Sequence, residues 1–214
     1  MLGVICAMEI EASGLIEKMK NIAKKHALGY EFSCGSIDGK DLVVVLCGIG
    51  KANAAAVTAL LIDKFAVDEV INLGVCGGSI GAGKMIVADS VVQYDFDTTA
   101  FGDELGQLDG FDSPYIKCTD SITSLIDCDK RGTIASGDRF IADEKFARFL
   151  AERFGAIGFD MESGAVAQIC TKAKVKFAVV RVVSDGGDAS EYEKFKVMAA
   201  SKGVATVINY LTNK

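Results

Sequence analysis

The chain predicts an α/β layered fold, and three observations carry that expectation. Apolar, β-rich runs alternate with helical periodicities from end to end. Several of the runs are apolar without alternation, so both of their faces are expected to be covered. Three of them lead directly into acids: Gly3-Val-Ile-Cys-Ala-Met-Glu-Ile-Glu11, Ala156-Ile-Gly-Phe-Asp-Met-Glu162 and Phe177-Ala-Val-Val-Arg-Val-Val-Ser-Asp185. In open α/β sheets ligands bind beyond the carboxyl ends of strands, so these acids are candidates for one cleft. A length of 214 residues with 50% hydrophobic content suits one domain, residues 1–214, with a sizeable core.

In order, strands are expected at Leu2 to Ala7, Leu42 to Leu46, Val70 to Leu73, Met85 to Val92, Gly132 to Ala135, Ala156 to Phe159 and Phe177 to Val183. Helices are expected at Glu9 to Lys20, Ala52 to Phe65, Asp143 to Arg153, Met161 to Lys172 and Tyr192 to Leu211. In the last of these, Tyr192, Phe195, Met198, Ala199, Ile208 and Leu211 fall close to one face. Tyr94 to Thr119 has Gly102, Gly106, Gly110 and Pro114 and no period, which makes it the longest expected loop, a lid or an oligomer contact.

Composition narrows the chemistry. A net charge of −6 without a Lys/Arg cluster gives no footprint for nucleic acid or an anionic membrane, and points to a small neutral or cationic ligand. No signal-like N-terminus and no apolar run approaching the roughly eighteen residues of a membrane span are seen, so a cytoplasmic location is expected. The seven Cys lack C-x-x-C spacing, and several (Cys6, Cys47, Cys76, Cys170) sit in apolar stretches, as reduced core thiols do. The single His, His26, in a Lys-Lys-His segment, reads as a solvated surface residue, and a His-rich metal site is excluded.

Three glycine-rich segments stand out. Gly78-Ser-Ile-Gly-Ala-Gly-Lys84 has P-loop spacing, yet Met85 replaces the Mg²⁺-binding hydroxyl residue and a strand follows, so no P-loop is expected. Gly48-Ile-Gly-Lys-Ala-Asn53 follows a strand and opens a helix, but Asn53 replaces the third Gly of a dinucleotide fingerprint. It is either a plain strand-to-helix turn or a turn offering N–H groups to a ligand. In Gly74-Val-Cys-Gly-Gly78, a turn after Leu73, the paired glycines including Gly77 allow the backbone to approach something flat or sugar-like.

Taken singly, each acid has a structural role open to it. Glu11 and Glu162 fall at the start of helices, where a carboxylate offsets the dipole by about 0.3–1 kcal/mol. Asp185, before Gly186-Gly187, is either a cap or turn residue or a ligand-facing acid.

Together the segments Ala7-Met8-Glu9-Ile10-Glu11, Gly48-Ile49-Gly50-Lys51, Ala100-Phe101-Gly102, Ser136-Gly137-Asp138-Arg139-Phe140-Ile141, Met161-Glu162 and Arg181-Val-Val-Ser-Asp185 resemble the ordered signature of the 5′-methylthioadenosine/S-adenosylhomocysteine nucleosidases, of the purine nucleoside phosphorylase superfamily. The resemblance covers nearly the whole chain. It implies a three-layer α/β/α sandwich with a twisted mixed sheet, a homodimer, no cofactor and no metal. It further implies that Asp185 protonates N7 of adenine with Ser184 orienting its carboxyl, and that Glu11 activates the attacking water with Arg181 near that water and Glu162. Met161 then packs on the ribose, Glu162 accepts from its hydroxyls, Phe140 stacks on the base and the backbone of Ile141 reads the adenine edge. Ile49, Phe101 and Tyr192 line the 5′-alkylthio pocket, Phe101 from the neighbouring subunit, and Met8 and Gly77 complete the binding set. In this reading Asp185 carries a proton and Glu11 is ionised, a form that a helix N-terminus favours.

Val75 departs from the pattern, since many relatives carry a hydroxyl residue there. Phosphate-using members surround their anion with several Arg and a hydroxyl, and no such cluster stands near Ala7 to Glu11 or Val75, which favours hydrolysis. The competing readings are a purine nucleoside phosphorylase, a nucleosidase for an aminodeoxyfutalosine-like substrate, and a nucleoside-binding or storage protein.

Overall fold

The computed structural model describes residues 1–213, residue 189 by its backbone alone. Ten strands form one mixed sheet. They are β1 Leu2–Cys6, β2 Lys20–Ala27, β3 Tyr30–Ile37, β4 Lys40–Leu46, β5 Glu69–Gly78, β6 Met85–Gln93, β7 Tyr115–Lys117, β8 Lys130–Ser136, β9 Ala156–Asp160 and β10 Lys176–Asp185. The helices are α1 Glu9–Ile16, α2 Lys51–Phe65, α3 Asp120–Thr123, α4 Glu144–Phe154, α5 Ser163–Ala173 and α6 Ala189–Asn213, with a 3₁₀ turn at Thr99–Phe101.

The sheet has an open edge on one side and is closed on the other. β5, β1 and β4 run parallel, and β3 and β2 extend them antiparallel to a free edge. In the other direction β5 pairs with β10, β10 with β6, β6 with β8, β8 with β9, and β9 returns to β5, which closes a five-stranded ring.

Helices cover both faces, as the unalternating apolar runs require. Odd and even residues of one strand serve different layers. Val43 and Val45 pack with Val57 and Leu61 of α2 and Val166 of α5, whereas Leu42 and Val44 pack with Leu15 of α1 and Val207 of α6. α4 seals a third cluster through Leu150 and Phe154 against Phe159. Among the described residues no helix is long and apolar enough to cross a membrane, and all seven cysteines are free.

Several boundaries differ from expectation. α1 stops at Ile16, not Lys20, because the amides of Lys18 and Met19 bond back three residues to Leu15 and Ile16 and turn the chain into β2. The turn expected after Leu73 is absent, since β5 continues through Gly78. The Tyr94–Thr119 loop contains the 3₁₀ turn and β7. On α6 the core face is Ala199, Val204, Val207, Tyr210 and Leu211, whereas Met198 is half exposed.

Candidate active site

A cleft opens where the C-terminal ends of β1, β5, β9 and β10 meet, the place where open α/β sheets bind ligands. The closing of the ring brings these ends together. β9 runs antiparallel to β5 and pairs with it only through Phe159 with Gly77 and Gly158 with Gly78. Both glycines are required by that crossing: a Cβ on Gly77 would lie 2.0 Å from the Phe159 ring, and one on Gly78 would lie 2.8 Å from the Ile157 carbonyl oxygen. The close approach that the glycine pair permits is therefore to β9 itself.

Glu11, in the first turn of α1, is 2% exposed and held by three backbone amides. Ala7 N–H and Met8 N–H donate to Oε2 at 2.9 Å, and Val75 N–H on β5 donates to Oε1 at 2.9 Å. Gly74 makes room, since a Cβ there would sit 2.9 Å from Oε1. Burial nevertheless raises the Glu11 pKa above its ordinary value, outweighing the amides and the Arg181 charge that favour the ionised form. The helix start alone does not decide its charge.

Asp185 ends β10 and is also 2% exposed. Ser184 Oγ lies 2.7 Å from Oδ2 and 3.1 Å from the Cys76 carbonyl, and Gly187 N–H donates to Oδ1 at 2.9 Å. Glu162 precedes α5 and accepts from Gly50 N–H through Oε1 at 2.9 Å. Its pKa is pushed up to about 7, first by burial and then by the Asp160 charge, against the pull of Arg181.

Phe140 and Tyr192 form an edge-to-face pair at the mouth, with centroids 5.5 Å apart, and Tyr192 Oη donates to Met8 Sδ at 3.1 Å. Ile49, Ile141, Met161 and Gly77 also line the cleft. Two of the residues singled out from the sequence are not part of the lining. Phe101 is 87% exposed, on the 3₁₀ turn outside the cleft. Arg181, 1% exposed, stands behind the wall: Nε and Nη2 donate to Asp160 Oδ2 at 2.8 and 2.7 Å, and Nη1 donates to the Asn72 carbonyl at 2.9 Å. Its guanidinium is committed to these partners.

Sequence reasoning passed over Asp160, Phe159, Cys76 and the side chain of Arg139, all in the lining. Asp160 pairs with Arg181 and, through Oδ1, accepts from Ser163 N–H and Oγ at 3.2 and 2.9 Å, so it also satisfies the first amide of α5. The signal was present, since Asp160 lies in one of the strand-to-acid segments, two residues before its terminal acid.

The Gly48–Lys51 turn also resolves. Its amides face protein carboxylates, Gly50 N–H on Glu162 and Lys51 N–H on Asp138. The Gly78–Lys84 segment leads from β5 straight into β6, with no helix behind it to seat a phosphate.

Comparison with known proteins gives a consistent answer. The family model of the phosphorylase superfamily matches residues 1–212. A 5′-methylthioadenosine/S-adenosylhomocysteine nucleosidase from Shewanella sediminis is 35% identical over 98% of this chain and 98% of its own. The crystal structure of the nucleosidase of that name from Colwellia psychrerythraea, in complex with adenine, is 34% identical, with TM-score 0.92 over 99% of this chain and 94% of that one. The native futalosine hydrolase of Helicobacter pylori is 27% identical, with TM-score 0.95 over 100% and 97% of the two chains.

Proposed function

We propose, because the chain belongs to the 5′-methylthioadenosine/S-adenosylhomocysteine nucleosidase family of the phosphorylase superfamily, that it hydrolyses the N-glycosidic bond of those two nucleosides and releases adenine. The observation that carries this reading is the pair of buried carboxyls, Glu11 and Asp185, brought from α1 and β10 to one cleft with Glu162 beside them.

Adenine is a poor leaving group as an anion. Asp185 gives a proton to N7 so that the base departs neutral while positive charge builds on the ribose, help that is typically about 10²–10⁴-fold in rate. Glu11 takes a proton from water, whose oxygen bonds to C1′ as the C1′–N9 bond breaks; solvent then returns both carboxyls to their starting states. The raised pKa of Glu11 makes it a stronger base than a surface glutamate. Glu162 accepts from the ribose hydroxyls, Met161 packs on the sugar face, and Phe140 and the Ile141 backbone hold the base. Arg181 acts from behind the wall: its charge favours the ionised forms of Glu11 and Glu162 without touching water. Met8, Ile49 and Tyr192 surround the 5′ substituent, and Phe101 of a second copy covers it in a homodimer.

Hydrolysis is favoured over phosphorolysis by the charge around Glu11. Arg181 is spent on Asp160 and Asn72, and Arg139 at the mouth lies over the Phe146 ring at 4.3 Å. Val75 adds a methyl wall where an anion needs a donor. The likeness to a futalosine hydrolase favours a second reading, a nucleosidase for futalosine-type substrates. Chromatography of products from methylthioadenosine and from futalosine, each with and without phosphate, separates them. Adenine and free methylthioribose without phosphate are the expected result. Preferential cleavage of futalosine supports the second reading, phosphate dependence overturns hydrolysis, and binding without cleavage of either overturns both.

A further inference from the structure

The start of α2 is built unusually. Its N-cap is Gly50, at φ +102°, which has no side chain with which to satisfy the free amides of the first turn. Two carboxylates from distant loops do so instead. Glu162 accepts from Gly50 N–H at 2.9 Å, and Asp138, 87 residues away in sequence, accepts from Lys51 N–H through Oδ1 at 2.8 Å. A Cβ at residue 50 would sit 3.2 Å from that same oxygen, so glycine and Asp138 fit each other.

Asp138 is itself held. Its N–H donates to Asp95 Oδ2 at 2.9 Å, while Lys51 Nζ donates to Asp95 Oδ1 at 2.7 Å and to Gln93 Oε1 at 3.1 Å. Gln93 Nε2 in turn donates to the Gly164 carbonyl on α5. The start of α2, the segments that follow β6 and β8, and the start of α5 are thereby clasped around Glu162.

We propose that Asp138 is a positioning residue for sugar recognition: by pinning the start of α2 it seats the Gly50 amide on Glu162 Oε1 and leaves Oε2 for the ribose hydroxyls. Among the described residues Oε2 has no hydrogen bond of its own. The proposal rests on the nucleosidase reading for its substrate, and on the clasp for its geometry. The charged and titratable groups that face Glu162 are Asp160 from β9, Glu11 from α1 and Arg181 from β10, with the Cys47 thiol beside them, protonated because burial pushes it up to about 12. Gly50 N–H favours the ionised carboxylate against the two acids, so loosening it moves the Glu162 titration upward.

The test compares Asp138→Ala and Asp138→Asn with the parent enzyme on methylthioadenosine and on its 2′-deoxy and 3′-deoxy counterparts. Asp138→Ala is expected to lower kcat/KM about fivefold, chiefly through KM, as loss of a helix cap of this strength implies. It is also expected to shrink the penalty for a missing hydroxyl and to shift the acidic limb of the pH profile upward. Asp138→Asn keeps an acceptor oxygen and recovers most of each effect. Unchanged discrimination between the nucleoside and its deoxy forms, with an unchanged acidic limb, overturns the proposal even if activity falls. Titration of the ¹³C-labelled Glu162 carboxyl in the free protein needs no turnover: an upward shift in Asp138→Ala is expected, and an unmoved midpoint overturns the proposal. If the parent enzyme cleaves no nucleoside, the functional reading fails, while this titration still decides the clasp.

Discussion

Glu11 and Glu162 are both buried carboxyls, and burial raises the pKa of each, but their work differs. In the proposed mechanism Glu11 accepts a proton from water, and its three amide donors hold both oxygens in place while burial still raises its pKa. Glu11→Gln loses the basic site and keeps the amide contacts of one oxygen only, since its NH2 group cannot accept; adenine release is expected to fall by about 10²-fold or more while substrate still binds, measured by pre-steady-state kinetics. Glu162 has a pH signature. Its ordinary pKa near 4.5 rises to about 7 on folding, so the native state holds this proton more tightly than the unfolded chain does. The stability that this proton confers is full below about pH 4.5 and is lost as pH rises through about 7. Glu162→Gln removes the titration, so its stability relative to the parent, measured by urea denaturation, should grow between about pH 5 and pH 8 by on the order of 3 kcal/mol. The same ionisation should set an acidic limb near pH 7 in kcat/KM. The sequence revealed Glu11, Glu162 and Asp185 because each ends or follows an apolar run. It did not reveal that Arg181 is buried on Asn72 and Asp160, because these partners come from other strands.

The seven strands expected from sequence are present because each is buried and apolar on at least one face. β2, β3 and β7 were not foreseen. β2 reads Lys-Asn-Ile-Ala-Lys-Lys-His-Ala and is exposed from Lys20 to His26, so no hydrophobic pattern marks it; three lysines line a free edge, which discourages pairing with other chains. His26 is exposed there, 3.4 Å from Glu31. β7 has three residues and exists only by pairing with β6. The crossing of β9 over β5 depends on Gly77. Gly77→Ala forces a methyl group into the Phe159 ring. A stability loss of about 2 kcal/mol or more is expected on urea denaturation, with a matching fall in nucleosidase activity as Asp160–Glu162 shifts. A variant as stable as the parent would show that β9 yields easily, and that the cleft does not depend on that contact.

At the scale of the molecule, closure of β5, β10, β6, β8 and β9 into a ring lets acids from strands of opposite direction share one cleft. Ring closure is a property of pairings between distant strands, so the layered class was legible in the alternating pattern and the ring was not. Phe101 is 87% exposed and Ile49 half exposed at the mouth, and the proposed homodimer would cover the 5′ pocket with Phe101 of the second copy. Phe101→Ala is expected to raise KM for methylthioadenosine several-fold with a smaller change in kcat, and sedimentation velocity of the parent protein should give a two-chain species. An unchanged KM would remove Phe101 from the 5′ pocket. Asp185 is expected to supply the proton that lets adenine leave, and a single-turnover experiment with Asp185→Asn in excess over methylthioadenosine decides it. Binding is expected to stay within a few-fold of the parent, with adenine release slowed by about 10²–10⁴-fold. Release at the parent rate would contradict the assignment of Asp185 and, with it, the mechanism.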